Sequence, residues 1–128
     1  MATTLEMFRN EGDYQTFAAG QAIFKDGDEG HSMYVIFEGT VKLLIRDRLL
    51  EKLGPGEVFG EMALIDQGPR SLTAVAEGEV KLVEITEKRF NFLVQQTPKF
   101  ALQIMRIMAE RIRNMDDKLR APVVRPAA

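Results

Sequence analysis

The sequence predicts a mainly β domain, a barrel or jelly roll, followed by two helices. Between Tyr14 and Ile85 the chain alternates short apolar runs with glycine- and proline-containing turns, which is typical of closed β architectures. After Ile85 the apolar residues recur at helical spacing instead. The length of 128 residues suits a single domain with one modest core.

Apolar runs flanked by turn residues predict the strands. These runs span residues 14–18, 21–24, 32–38, 40–46, 49–53, 57–59, 71–76 and 79–85. Glu38-Gly39-Thr40 and Glu77-Gly78-Glu79 separate adjacent runs, and we expect tight hairpin turns there because glycine adopts positive φ without strain. The side chains predicted to face the core are Ile23, Val35, Phe37, Val41, Leu43, Leu53, Val58, Leu64, Val75, Leu82 and Ile85.

Capping residues predict where the two helices begin and end. Thr86 is a suitable N-cap for a helix over residues 86–96. Thr97-Pro98 starts a second helix over residues 98–119, because proline fits the first helical position, where its missing N–H has no partner to lose. Pro122 stops this helix, and residues 121–128 are expected to form a flexible tail.

The last predicted helix carries two apolar stripes. One advances in alternating steps of four and three residues, which is the heptad spacing of a coiled-coil seam, and it is formed by Ala101, Met105, Met108, Ile112, Met115 and Leu119. The other lies about 100° away around the helix and is formed by Phe100, Ile104 and Ile107. In this register Arg111 occupies a g position and Asp116 occupies the following e position. This is the opposite-charge pairing that a parallel two-stranded coiled coil uses. Two interpretations are open: the seam pairs with a second copy, or one broad face covers the barrel.

The composition excludes several kinds of site. The chain has no cysteine, so disulfides, thiolate metal sites and cysteine nucleophiles are ruled out. Its single histidine, His31, lies in a polar turn, and one histidine without cysteine makes no metal site. The sequence has no paired carboxylates beside a histidine and no Ser-His arrangement, so we expect no catalytic residues and a binding function.

The net charge of −2 conceals an uneven distribution. Residues 1–87 carry 8 basic and 16 acidic side chains, whereas residues 88–128 carry 9 basic and 3 acidic ones. A basic helix is compatible with nucleic acid or an anionic surface, but we favour a solvated face that complements the acidic body. Because the chain has neither a membrane-length apolar stretch nor a signal pattern, we expect a cytoplasmic protein without membrane attachment.

Residues 59–71, Phe-Gly-Glu-Met-Ala-Leu-Ile-Asp-Gln-Gly-Pro-Arg-Ser, carry the strongest functional signal. A short helical turn after Gly60 would direct free main-chain N–H groups at an anion, and the glycine would admit a ligand close to the backbone. Arg70 supplies a charged fork of donors that matches a phosphate, and Glu61 suits a sugar hydroxyl. A ribose with a cyclic phosphate meets all these demands. The alternative is an exposed Glu61–Arg70 ion pair without a ligand.

This segment resembles the phosphate-binding cassette of cyclic-nucleotide-binding domains, which occur in the catabolite activator family, kinase regulatory subunits and nucleotide-gated channels. The step from Glu61 to Arg70, with Pro69 before the arginine, is nearer the kinase and channel branch. The resemblance implies a β-roll (a double-stranded β-helix) at about residues 14–85, inside a domain of residues 1–120 that begins with a short N-terminal helical segment. It extends upstream through Phe17-Ala-Ala-Gly20-Gln-Ala-Ile-Phe24, Gly27-Asp-Glu-Gly30, Met33-Tyr-Val-Ile, Gly39 and Leu53-Gly-Pro-Gly56-Glu-Val-Phe-Gly60.

The resemblance also implies roles for individual residues. Glu61 would accept a hydrogen bond from the ribose 2′-hydroxyl, and Arg70 and Ser71 would hold the cyclic phosphate. The implied ligand-binding set is Phe59, Gly60, Glu61, Met62, Ala63, Arg70, Ser71 and Leu72. The base would lie against Leu43, Leu50, Ile112, Met115 and Asp116. The ligand implied is cyclic AMP or cyclic GMP, bound as a regulatory ligand with no cofactor, and Ser71 favours cyclic AMP because members that prefer cyclic GMP often carry threonine there.

Leu72 departs from the family pattern. The family usually has a small residue, often alanine, after the serine or threonine that contacts the phosphate. The isobutyl group of Leu72 therefore either points into the barrel or crowds the ligand pocket.

Three functional hypotheses follow. We favour a sensor that couples cyclic-nucleotide binding to movement of its last helix, pairs with a second copy through that helix and acts on a separate protein partner. The second hypothesis is the sensory half of a catabolite-activator-type transcription regulator; the residues after Leu119 are too few for a helix-turn-helix, so we expect no DNA binding by this chain alone. The third is a structural dimer module that has lost ligand binding.

Overall fold

The computed structural model describes residues 14–120, with side chains up to residue 114. The expected N-terminal helical segment and the tail at residues 121–128 lie outside the described residues. The elements in chain order are β1 (Gln15–Phe17), β2 (Ala22–Phe24), β3 (Ser32–Ile45), β4 (Arg48–Leu53), β5 (Val58–Phe59), α1 (Met62–Ile65), β6 (Thr73–Thr86), α2 (Glu87–Gln96) and α3 (Pro98–Arg120).

The long strands β3 and β6, each of 14 residues, form the centre of a six-stranded sheet. β1 and β2 pair with β6, β4 and β5 pair with β3, and every pairing is antiparallel. The predicted mainly β fold is confirmed. At one end of the central pair the register sets Ser32 opposite Thr86 and Tyr34 opposite Glu84, and this end carries residues of the candidate site.

The hairpin turns predicted at Gly39 and Gly78 are wrong. Both glycines have positive φ, 96° and 78°, but they lie inside β3 and β6, and the two strands pair on both sides of them. The register shifts between Ile36 and Glu38 and again between Glu38 and Thr40, which marks a β-bulge. Because each strand still has a partner beyond its glycine, the chain bends there without reversing, and the four predicted runs merge into two long strands.

A tight hairpin instead joins β3 to β4 through Arg46 and Asp47. Their φ angles are 50° and 66°, and Ile45 pairs with Arg48 across the loop. A two-residue loop with both φ angles positive matches the right-handed twist of the strands it joins. The sequence did not reveal this turn because neither residue is glycine, and arginine adopts this conformation rarely.

The core of the β region follows the predicted alternation in most places. Of the side chains expected to face the core, Ile23, Phe37 and Val75 are half-buried and the others are buried. The alternation did not predict Ile36, which is fully buried beside an equally buried Val35. Successive residues of β3 are therefore enclosed on both faces of the sheet at this point.

The two predicted helices are confirmed to within one residue at each end. The Arg89 N–H donates to Thr86 Oγ1 at 3.3 Å, which is the predicted N-cap. The Phe100 N–H donates to the Thr97 carbonyl oxygen at 2.8 Å in the first turn of α3. Internal contacts divide the chain into two compact units, with the boundary in the sequence between Asn91 and Phe92. A single domain over residues 1–120 stays a prediction.

In the second unit the two stripes of α3 differ in exposure. Phe100, Ile104 and Ile107 are buried. On the seam, Met105 and Ile112 are 63% and 65% exposed. Ala101 and Met108 are half-buried, and the Met115 and Leu119 side chains lie outside the described set. Within residues 14–120, no helix is long and apolar enough to cross a membrane.

Candidate functional site

The main chain of Arg70 is anchored to the turn that follows β2. Its N–H donates to the Asp28 carbonyl oxygen at 2.8 Å, and its own carbonyl oxygen accepts from the Gly27 N–H at 2.7 Å. The Asp26 N–H donates to Thr73 Oγ1 at 3.0 Å, which ties the same turn to the start of β6. These bonds fix where the Arg70 side chain leaves the backbone.

The Arg70 guanidinium is buried and is held by two main-chain carbonyls. Nη1 donates to the Gly60 oxygen at 2.8 Å, and Nη2 donates to the Ser32 oxygen at 2.7 Å. Its Cζ lies 4.0 Å from the centre of the Phe24 ring. Only 6% of the residue is exposed. The sequence predicted Arg70 as a site residue, and the structure supplies two main-chain partners that orient its side chain.

Arg70 Nε has no hydrogen-bond partner. Within residues 14–114 it is the buried side-chain nitrogen or oxygen that lacks one. A buried donor left unpaired costs ~1–3 kcal/mol, and more when the donor is charged. An anionic oxygen within hydrogen-bond distance of Nε would remove this cost. Arg70 therefore has one donor that a phosphate oxygen could accept from.

Two glycines make room for the guanidinium. A Cβ on Gly30 would overlap Nε of Arg70 and lie 2.6 Å from its Cζ, and a Cβ on Gly60 would lie 2.8 Å from Nη1. Gly60 also has φ of +80°, a conformation that favours glycine, whereas Gly30 does not have positive φ. Gly30 is thus required for space alone, and Gly60 for both space and backbone conformation.

The charge on Arg70 is only partly compensated by its surroundings. Burial lowers the pKa of Arg70 below its ordinary value, and the nearby groups Tyr34, Glu61, Asp28 and Glu84 act in the opposite direction. The burial effect is the larger, yet arginine stays protonated at neutral pH because its ordinary pKa is so high. A ligand anion would therefore add a favourable charge to a buried cation.

Glu61 is buried next to the short helix α1. It is 5% exposed and occupies the N-cap position, where its carbonyl oxygen accepts from the Leu64 and Ile65 N–H groups at 3.0 and 3.2 Å. Because both Glu61 and Arg70 are buried, an exposed surface ion pair does not describe them. Of the other cassette residues, Phe59 and Ala63 are buried and Met62 is exposed.

Ser71 and Leu72 differ in how far their side chains are buried. Ser71 is exposed, whereas Leu72 is half-buried and packs against the hydrophobic core of the β region. The Leu72 side chain thus faces the barrel, which is one of the two alternatives that the sequence left open. Its bulk is accommodated by core packing.

The proposed base contacts are distributed over both units of the chain. In the first unit Leu43 is 3% exposed and belongs to the core cluster, and Leu50 is half-buried. In the second unit Ile112 is exposed, and the side chains of Met115 and Asp116 lie outside the described set. The base pocket therefore stays a prediction.

A second layer of polar groups lies behind Ser32. Ser32 Oγ donates to Glu84 Oε2 at 2.6 Å, and Gln15 Nε2 donates to Glu84 Oε1 at 2.5 Å. Burial raises the pKa of Tyr34, with a further contribution from the Glu84 charge. These contacts link β1, β3 and β6 at the end of the sheet where the Ser32 carbonyl accepts from Arg70.

Sequence reasoning missed two residues that contact Arg70. Phe24 contributes a ring face and Ser32 contributes a main-chain oxygen. Phe24 lies in the glycine framework that carries the family resemblance, so its nearness to the cassette was accessible, but its contact with the arginine was not. No residue type signals a carbonyl acceptor, so the role of Ser32 had no sequence signature.

A family model for the cyclic nucleotide-binding domain matches residues 14–97. The chain belongs to this family. It is 35% identical over 108 residues to the cyclic AMP receptor protein of Thermus thermophilus, an alignment that covers 80% of this chain and 50% of the relative. Most relatives are named as regulators or binding proteins, and some are multi-domain enzymes of which the matched part is a small share.

Two solved structures share the fold. The Thermus thermophilus catabolite activator protein superimposes with a TM-score of 0.81 at 30% identity, over 96% of this chain and 60% of that one. A second structure, from work on a cyclic-GMP-dependent signalling pathway in bacterial phytopathogenesis, gives 0.77 at 34% identity and covers 89% of this chain and 94% of that one. The predicted β-roll is thereby confirmed. The chain spans about half the length of the receptor-type relatives it matches.

Proposed function

We propose that this chain is a cytoplasmic sensor that binds cyclic AMP or cyclic GMP without transforming it. The observation that supports this most directly is the buried Arg70, whose Nε lacks a partner while both terminal nitrogens are fixed. A singly charged cyclic phosphate supplies the missing acceptor and the compensating charge together. Membership of the family and the names of most relatives support binding rather than catalysis.

In this proposal each cassette residue has one task. Arg70 and Ser71 hold the cyclic phosphate, with main-chain N–H groups of residues 60–63 assisting. The buried Glu61 accepts from the ribose 2′-hydroxyl. Binding at the cassette moves the last helix, and the base contacts predicted from the sequence complete the ligand's enclosure. The coupling between ligand binding and this movement is expected to be ~1–3 kcal/mol.

Titration calorimetry with cyclic AMP, cyclic GMP and linear AMP tests this function. We expect both cyclic nucleotides to bind, with a modest preference for cyclic AMP because of Ser71. Linear AMP should compete poorly, because its second negative charge and its extra phosphate oxygen do not fit one arginine donor. An affinity for cyclic GMP about tenfold above that for cyclic AMP would reverse the preference. Absence of binding by either cyclic nucleotide would favour the structural module that has lost its ligand.

A second candidate is the sensory part of a larger transcription regulator. The observation that favours it is the share of the receptor-type relatives that this chain spans, about half of their length. The intact mass of the protein purified from its natural source distinguishes the two candidates. A mass near that of the printed sequence supports a free-standing sensor that acts on a separate partner, and a mass about twice as large supports the regulator.

The exposed seam of α3 predicts a homodimer. Met105 and Ile112, both at a positions, are the most exposed large apolar residues of the described part of this helix. We expect sedimentation to show a concentration-dependent dimer that nucleotide tightens, because three heptads are too short for a stable coil alone. Replacing both residues with lysine should give a monomer with an intact β-roll.

A charge-matched control separates the loss of the seam from the added charge. Glu110→Gln with Asn114→Lys also raises the net charge by two, at exposed positions away from the seam, and should leave the dimer unchanged. A parent protein that sediments as a monomer at every concentration, with and without nucleotide, would remove the seam from the mechanism.

A further inference from the structure

Three aromatic rings form a connected group next to Arg70. We call Phe24, Tyr34 and Phe59 the aromatic platform. The ring centres of Tyr34 and Phe59 are 5.3 Å apart and stacked, those of Phe24 and Phe59 are 5.9 Å apart, and those of Phe24 and Tyr34 are 6.2 Å apart. These separations lie in the range of favourable aromatic pairs, so each ring restrains the others. Phe24 is 8% exposed and Phe59 is 1% exposed.

Phe24 is the platform member that meets the arginine. The Arg70 Cζ lies 4.0 Å from the Phe24 ring centre and 5.9 Å from that of Tyr34. Both distances are within the range of a cation–π contact, which is strongest when the pair is shielded from water. The hydrogen bonds from Nη1 and Nη2 to the carbonyls of Gly60 and Ser32 fix two corners of the guanidinium. The Phe24 ring lies against the central carbon of the guanidinium.

We infer that Phe24 is a positioning residue for ligand binding, which holds the Arg70 guanidinium flat so that its unpaired Nε stays in place for an incoming phosphate. This inference rests on the proposed function. It identifies which side chain preorganises the phosphate contact, and it assigns that task to a residue outside the cassette.

An aromatic ring suits this task better than a carboxylate would. A carboxylate against Arg70 would neutralise the cation and repel the phosphate that has to approach it. The Phe24 ring and the two carbonyls carry no net charge, so they stabilise the buried cation without neutralising it. The platform therefore keeps the arginine in place and keeps it receptive to an anion.

The first test compares two leucine substitutions. Phe24→Leu removes the ring under Arg70, whereas Phe17→Leu removes a half-buried ring at a different place on the same core. We expect Phe24→Leu to weaken cyclic-nucleotide binding by about tenfold in calorimetry, the size of a desolvated cation–π contact. Phe17→Leu should change it by less than about twofold. Equal effects of the two substitutions would overturn the inference.

The second test keeps the shape of the side chain. Trifluorophenylalanine at position 24 fills nearly the same volume but withdraws charge from the ring face, so it weakens a cation–π contact while the packing is preserved. Nucleotide affinity should fall toward that of Phe24→Leu, and the circular dichroism spectrum should match the parent's. An affinity equal to the parent's would mean that only packing matters, and would contradict the inference even if Phe24→Leu failed to fold.

A double-mutant cycle in the ligand-free protein separates this inference from the proposed function. Urea unfolding of Phe24→Leu, Arg70→Ala and the double variant measures the coupling of the two side chains without nucleotide. We expect Phe24→Leu to destabilise the parent more than it destabilises the Arg70→Ala background. If the parent binds neither nucleotide, the proposed function fails whatever the coupling. If nucleotide binds but the coupling between Phe24 and Arg70 is zero, the positioning role of Phe24 is contradicted and the proposed function is not.

Discussion

Replacing Arg70 with alanine is expected to weaken cyclic-nucleotide binding by about two to three orders of magnitude. Truncating one partner of a buried charge pair typically costs ~2–5 kcal/mol, and each factor of ten in affinity corresponds to about 1.4 kcal/mol. Arg70 is 6% exposed, so water cannot replace the lost guanidinium easily. Calorimetry with cyclic AMP and cyclic GMP measures the change, and circular dichroism confirms that the β-roll remains folded.

Arg48→Ala is the matched control for this variant. It also removes one positive charge, but from an exposed position in the β3–β4 hairpin. Its effect on affinity should be small, because exposed charges act weakly over distance in salt. An Arg70→Ala protein that binds as tightly as the parent would place the phosphate site elsewhere in the chain.

Gly30→Ala is expected to weaken nucleotide binding by about one to two orders of magnitude. The added Cβ would overlap Nε of Arg70 and lie 2.6 Å from its Cζ, so the guanidinium has to move off its two carbonyl acceptors. Gly30 does not have positive φ, so alanine fits the backbone without strain. The change therefore acts through the position of the arginine side chain and not through backbone strain at residue 30.

Gly54→Ala provides the comparison. Gly54 also lacks positive φ, and the nearest atom to its built Cβ is Glu57 Oε2 at 4.0 Å. Both variants reduce the entropy of the unfolded chain in the same way, so any difference between them reports the collision with Arg70. Calorimetry measures the nucleotide affinity of both variants, and urea unfolding measures their stability. Equal affinities for the two variants would show that Arg70 binds phosphate from a position different from the one seen here.

The sequence predicted the elements and the cassette better than it predicted the contacts within the site. Helix boundaries followed from Thr86 and from Thr97-Pro98, because capping residues act locally. Arg70 and Glu61 were predicted as ligand contacts through their spacing and the glycine framework; the structure shows that both are buried, and their contact with a ligand stays a prediction. Local chemistry of this kind can be read along one chain.

What could not be predicted depends on partners distant in sequence. A glycine between two apolar runs gives the same sequence pattern in a hairpin turn and in a β-bulge. At Gly39 and Gly78 the two cases differ only in whether strand pairing continues beyond the glycine. The contact of Phe24 with Arg70 joins residues 46 positions apart, the difference between their numbers in the chain. The acceptor at Ser32 is a main-chain carbonyl, which every residue has. Its contact with Arg70 is therefore visible only in the three-dimensional structure.

The bulge within the β3–β6 pair has a consequence for how the chain tolerates change. A slip of one residue between paired strands reverses which side chains face the core, and it would also redirect the Ser32 carbonyl away from Arg70. The register already shifts between Ile36 and Thr40, so the ladder consists of two segments with separate alignments. We expect an insertion in the hairpin at Arg46 and Asp47 to change the alignment of the far segment only. The Ser32 carbonyl that accepts from Arg70 should then keep its position when the loop length changes at the other end of the sheet.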